Sequence, residues 1–277
     1  ATAPPGGGGA HPGPLVATLR VESAAPGLRS LVRTVRLAGG AGAVERGAEL
    51  DKLPVRDKES AHLAFPFALA DGVVRVDLGD AVLEPGRNQL PGSCLEFASA
   101  HTAVDVSGAD VGVAVATPDA PLVEIGALTD ERPVGAGGRS WRAAVAPEPT
   151  VYAYLLNNYW HTNYKADQEG VLAFRFTVRP HGPYDPVALR RFSAEHEQPL
   201  LAVPVDPAAP PLAAPFALDS ESVVLAALRP VDGGRALLLR LHNPSARPAA
   251  ATVTPTLVGA ALRLSDVEGA PGAPLAG

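Results

Sequence analysis

The 277-residue chain carries a net charge of −6, and 47% of it is hydrophobic although aromatic residues supply only 5%. The acidic balance and the lack of a basic run exclude a nucleic-acid-binding protein, and no apolar stretch reaches the roughly 18 residues of a membrane span. One cysteine, Cys94, excludes an internal disulfide, so the fold relies on a core of Ala, Val and Leu. Of the 23 basic residues only Lys52, Lys58 and Lys165 are lysines, a bias of base composition rather than of function. No Met occurs, so the chain reads as a processed product or a piece of a longer protein. Residues 1–14 (ATAPPGGGGAHPGP) lack the charged head and apolar centre of a signal peptide and read as a flexible linker. The scarcity of cysteine and of targeting signals leans towards a cytoplasmic location.

From Leu15 the apolar period is mostly two. Leu15 to Glu22 and Leu31 to Leu37 read as strands, while Val44 to Arg56 is charged and mixed. Ala61, Leu63, Phe65, Phe67 and Leu69 alternate on one face, but Pro66 restricts that run to a sheet edge or a bulge. Asp71-Gly72 predicts a hairpin into Val73 to Leu78. Thr102 to Val106, Val111 to Thr117 and Leu122 to Leu128 follow as short strands, then a Gly-rich gap at Gly135 to Gly138 before Trp141. Beyond His181 to Tyr184, Asp185-Pro186 starts the one persuasive helix, with Leu189 and Phe192 sharing a face. About a dozen short strands and one helix predict an all-β sandwich. The main sandwich spans residues 15–202, a Pro/Ala-rich connector 203–215 and a smaller C-terminal β segment 216–267. A frayed tail, 268–277, completes the chain.

The central stretch is Tyr152 to Pro180. A strand-like run (Val151 to Leu156) enters it, and a strand with Leu172, Phe174, Phe176 and Val178 on one face leaves it. Between them, Asn157, Asn158, Tyr159, Trp160, His161, Asn163 and Tyr164 suit a sugar ring, because aromatics cover its apolar C–H faces while amides pair with hydroxyls. The structural alternative is a long connection whose aromatics pin it to the sheet. Metal and nucleophile motifs are absent: no HExxH, no HxH, no cysteine pair, no GxSxG, no P-loop. Asp167 and Glu169 are close in sequence, but a retaining glycosidase needs carboxyls about 5–5.5 Å apart in space, and such neighbours are common by chance. Cys94 reads as a buried small hydrophobe.

Several phrases, in order, carry a family likeness: DKLPVRDKESAHLAFPFAL, PGRNQLPGSCLEFASAHTAVDVS, TPDAPLVEIG, LLNNYWHTNYKADQEGVLAFRFTVRPHG, SVVLAALRP and ALLLRLHNPS. Together they resemble the C-terminal β-rich region of glycoside hydrolase family 38, the α-mannosidases, over residues 15 to 265. The resemblance implies a galactose-mutarotase-like β-supersandwich with a smaller C-terminal β segment. It also implies that the nucleophilic aspartate and the zinc ligands belong to an N-terminal α/β domain, followed by a helical bundle, with no counterpart here. No cofactor is therefore expected in this chain, and zinc is expected in that catalytic domain. The partners implied are the same catalytic domain and an α-mannoside or other carbohydrate, with Asn157 to Tyr164 as one wall of the sugar cleft. Two other readings stand beside it. One is an independent carbohydrate-binding module; the other is a mutarotase-like enzyme, which needs a converging His and Glu, His161 and Glu169 being the near pair.

Overall fold

The computed structural model describes residues 5–128, 142, 144–145, 148–158, 165, 167–208 and 213–275. In chain order the strands are β1 (Pro5–Pro12), β2 (Val16–Ser23), β3 (Leu28–Ala38), β4 (Val44–Lys52), β5 (Glu59–Phe65), β6 (Val73–Asp77) and β7 (Val82–Leu83). There follow β8 (Phe97–Ser99), β9 (Ala103–Ser107), β10 (Gly112–Ala116), β11 (Leu122–Ile125), β12 (Val151–Asn158) and β13 (Gly170–His181). Helix α1 (Pro186–Glu197) leads to β14 (Phe216–Asp219), β15 (Val224–Val231), β16 (Ala236–His242), β17 (Thr252–Pro255), β18 (Arg263–Ser265) and β19 (Pro271–Pro274). The all-β expectation with one short helix holds. No helix among the described residues is long and apolar enough to cross a membrane.

The chain separates into two compact units, residues 1–185 with 192–198, and residues 186–191 with 199–277. In the first, a nine-stranded antiparallel sheet runs β1-β2-β3-β4-β13-β10-β9-β6-β7 and a four-stranded one runs β5-β12-β11-β8. Their apolar faces meet in one core: Val74, Val76, Val104, Val106, Val113, Val115, Phe174 and Phe176 from the larger sheet, Phe65, Val123, Ile125, Val151 and Leu156 from the smaller. The rings of Phe65 and Phe176 touch across it, with centroids 5.3 Å apart. On β13 the alternation is as read: Phe174 and Phe176 are buried while Ala173 and Arg175 are exposed.

Four features depart from the sequence reading. Residues 5–12 are not a linker but the edge strand β1, paired antiparallel with β2 from Pro5↔Ser23 to Pro12↔Ala17. Glycine weakens a strand without forbidding it, and prolines at the two ends of an edge strand remove few ladder donors. The charged segment 44–52 is strand β4, held between β3 and β13. Its buried positions Ala48, Leu50 and Lys52 alternate, and Arg46 lies over the Phe65 ring at 5.1 Å, so charged side chains at inward positions hid the period. Asp71-Gly72 does not close a hairpin: β5 pairs with β12 and β6 with β9, so this turn carries the chain from one sheet to the other. The tail is not wholly frayed, since β19 pairs with β18.

The second unit has another character. Its strands form three separate two-stranded ribbons, β14–β17, β15–β16 and β18–β19. From residue 199 onward, Val223 is the one buried residue among those described.

Candidate functional site

Strand β12 delivers the chain to the predicted sugar loop, and a bulge decides how. Val151 and Ala153 point into the core, so strict alternation would send Asn157 inward as well. The pairing with β5 instead jumps from Tyr154↔His62 to Leu156↔Ala61, leaving Leu155 as the extra residue. Leu156 and Asn158 therefore face inward, and Asn157 is exposed opposite Ser60.

Asn158 is only 1% exposed, and its amide is fully engaged. Its Nδ2 donates to Val55 O at 2.5 Å and to Glu59 Oε1 at 3.2 Å, while its Oδ1 accepts from the Gln168 N–H at 3.2 Å. Glu59 in turn pairs with Lys52, whose buried ammonium also donates to Leu53 O at 3.0 Å and Gly27 O at 3.3 Å. One asparagine thus ties the outgoing and returning ends of the loop to a buried ion pair. This corrects its assignment as a sugar contact, because no donor or acceptor of its amide is left facing solvent. Of the two predicted contacts among the described residues, Asn157 is the one placed in the open. Tyr159, Trp160, His161, Asn163 and Tyr164 lie outside the described residues.

The nearby carboxylates do not act as a pair. Asp167 faces Arg56 at 3.6 Å and Glu169 pairs with Lys165 at 3.0 Å, so each is held by its own cation. Close His–Glu contacts lie elsewhere: His101 Nε2 is 3.4 Å from Glu197 Oε1, and a second pair is buried. On the outer face of the four-stranded sheet, His62 Nε2 lies 3.1 Å from Glu124 Oε1, with the Tyr154 ring edge-on to His62 and the Phe97 ring edge-on to Tyr154. The two polar side chains are 8% and 2% exposed, so they brace the sheet and are closed to a sugar. Cys94 is half-buried rather than buried, and its Sγ accepts from the Phe97 N–H at 3.4 Å.

A second polar constellation lies on the outer face of the nine-stranded sheet. Asp105 is buried there, with Ser107 donating to it, His181 Nε2 at 2.7 Å and Arg75 Nη1 at 3.9 Å. His181 reaches it across Gly112, where an added Cβ would sit 2.3 Å from the His181 ring. Arg75 also holds Glu84 at 2.9 Å and stacks 4.0 Å over the Tyr184 ring. Burial pushes the Tyr184 hydroxyl up to about 12. Sequence spacing could not reveal this group, because residues 75, 105 and 181 meet only through strand pairing.

Burial also raises the Asp105 carboxyl above its ordinary 3.8, outweighing the opposing pull of Ser107, His181 and Arg75. The sign follows by linkage: a carboxyl raised in the folded state contributes stability at acid pH that is lost as pH rises through its folded value. Asp105→Asn should therefore remove a loss of stability that develops as pH rises above 3.8. Urea midpoints of both proteins across that range test it, and parallel profiles would contradict the assignment.

No family model and no curated protein matches the chain by sequence. Solved structures do match. A protein in glycosyl hydrolase family 38 from Enterococcus faecalis aligns with 97% of the chain at TM-score 0.71 and 14% identity. An α-mannosidase from Enterococcus faecalis V583 aligns with 89% at TM-score 0.64 and 12% identity. This chain has a family 38 fold. It spans 35% and 30% of the lengths of those two proteins, so the family 38 likeness concerns a β-rich portion of each. A galactose mutarotase related enzyme from Lactobacillus acidophilus aligns over 64% of the chain at TM-score 0.33, too distant to carry an argument.

Proposed function

We propose that the chain is the non-catalytic β-sandwich region of an α-mannosidase-like glycoside hydrolase, which packs on a zinc-dependent catalytic domain and completes its carbohydrate cleft. The observation that carries this reading is the coverage: the family 38 fold accounts for 97% of this chain but for 35% of the matched protein. The exposed Asn157, at the end of a strand whose neighbouring asparagine is locked in the frame, is the cleft contact assigned to this chain.

The purified chain should hold no stoichiometric zinc and should not hydrolyse an aryl α-mannoside. Joined to its catalytic domain, Asn157→Ala should raise KM or lower kcat/KM while leaving the melting temperature unchanged. One zinc per isolated chain, or turnover by it, would refute the reading. Tight mannoside binding by the isolated chain would favour an independent carbohydrate-binding module instead.

A further inference from the structure

Ribbon β15–β16 is two-faced. Its register pairs Leu225 with Leu241, Leu228 with Leu239 and Pro230 with Leu237, and the extra residue Ala226 keeps these three pairs on one side. That side carries no polar group. The opposite side holds Arg229, Arg240 and His242 among Ala227, Leu238 and Val231. Leu225, Leu228, Leu237 and Leu241 are 38%, 42%, 38% and 37% exposed.

A two-stranded ribbon with open apolar side chains is marginally stable alone, and a contiguous apolar face on a protein surface marks an interaction site. The ribbon segment is short of buried residues, since from residue 199 onward Val223 is the one described residue that is buried.

We infer that the leucine face of β15–β16 is where the chain docks on the remainder of the glycosidase polypeptide. This rests on the proposed function. The occupant follows from coverage and composition. The fold match includes 97% of this chain, and about two-thirds of the matched polypeptide lies beyond it. A face free of charge suits a permanent contact, whose buried centre is depleted in charged residues. A neighbour on the same polypeptide is always present at high effective concentration, whereas a second copy must be recruited from solution.

The test measures binding of residues 1–277 to the separately purified zinc-dependent catalytic region encoded with it. Leu228→Asp with Leu241→Asp should weaken binding by roughly tenfold or more, whereas Arg240→Asp on the opposite face should change it by less than about twofold. Light scattering provides the second measurement. Equal binding by the leucine variant and the wild type would overturn the surface assignment and leave the proposed function standing. A wild-type chain that does not bind the catalytic region would overturn both. A dimer of the isolated chain that the leucine changes dissociate would assign the face to a second copy instead.

Discussion

Phe176→Ala should lower stability by about 3–5 kcal/mol, a drop of roughly 6–20 °C in thermal midpoint. Phe176 is buried and packs on Phe65 across the two sheets, so its removal opens a cavity where the sheets meet. Phe174→Ala, two residues earlier on the same face, should behave alike. The control is Arg175, exposed between them, which holds Asp119 through Nε and Nη2 at 2.8 Å each and through its backbone N–H. Arg175→Ala should cost about 0.2–1 kcal/mol, the range of exposed ion pairs. Even that loss should fade in acid. The hydrogen bonds from Arg175 hold the Asp119 carboxyl below its usual 3.8, so the pair's contribution is present above that pH and disappears as pH falls. Thermal melts of the three variants decide the matter; similar losses at 174, 175 and 176 would mean that β13 does not bury one face.

Asn158→Ala and Asn157→Ala should part company just as sharply. Removing the Asn158 amide strips partners from Val55 O, Glu59 and the Gln168 N–H, and each buried group left unpaired costs about 1–3 kcal/mol. Glu59 is also the carboxylate beside the buried Lys52, so the damage should spread to that ion pair. Asn157→Ala should leave stability unchanged to within about 0.5 kcal/mol, as expected of an exposed position. Hydrogen exchange supplies the second readout: protection at Gln168 should be lost in the first variant and kept in the second. A stable Asn158→Ala protein would show that the loop ends are held by something other than this network.

Much of the first unit was legible in the residues. Strands with uncharged inward faces, such as β9, β10 and β13, declared themselves through period two, because Val104, Val106, Phe174 and Phe176 need one apolar side only. Helix α1 was legible through Asp185-Pro186 at its start and through Leu189 and Phe192, both buried. The strand entering the sugar loop was legible too, but the fate of its two asparagines was not. A single bulge at Leu155 exchanged their roles, and a bulge is chosen by the register with β5, which lies about a hundred residues earlier in the chain. The same holds for β1, where glycines are extended because β2 offers a ladder, and for β4, whose inward Lys52 is tolerated because Glu59, Gly27 and Leu53 surround it. Local periodicity records which side of a strand is apolar; it does not record which distant strand will supply the partner. For that reason the residues alone determined an all-β chain with a polar, aromatic loop between two core strands. Tertiary pairing decided which of Asn157 and Asn158 is exposed and which is structural, and that ribbon β15–β16 gathers its leucines on one side.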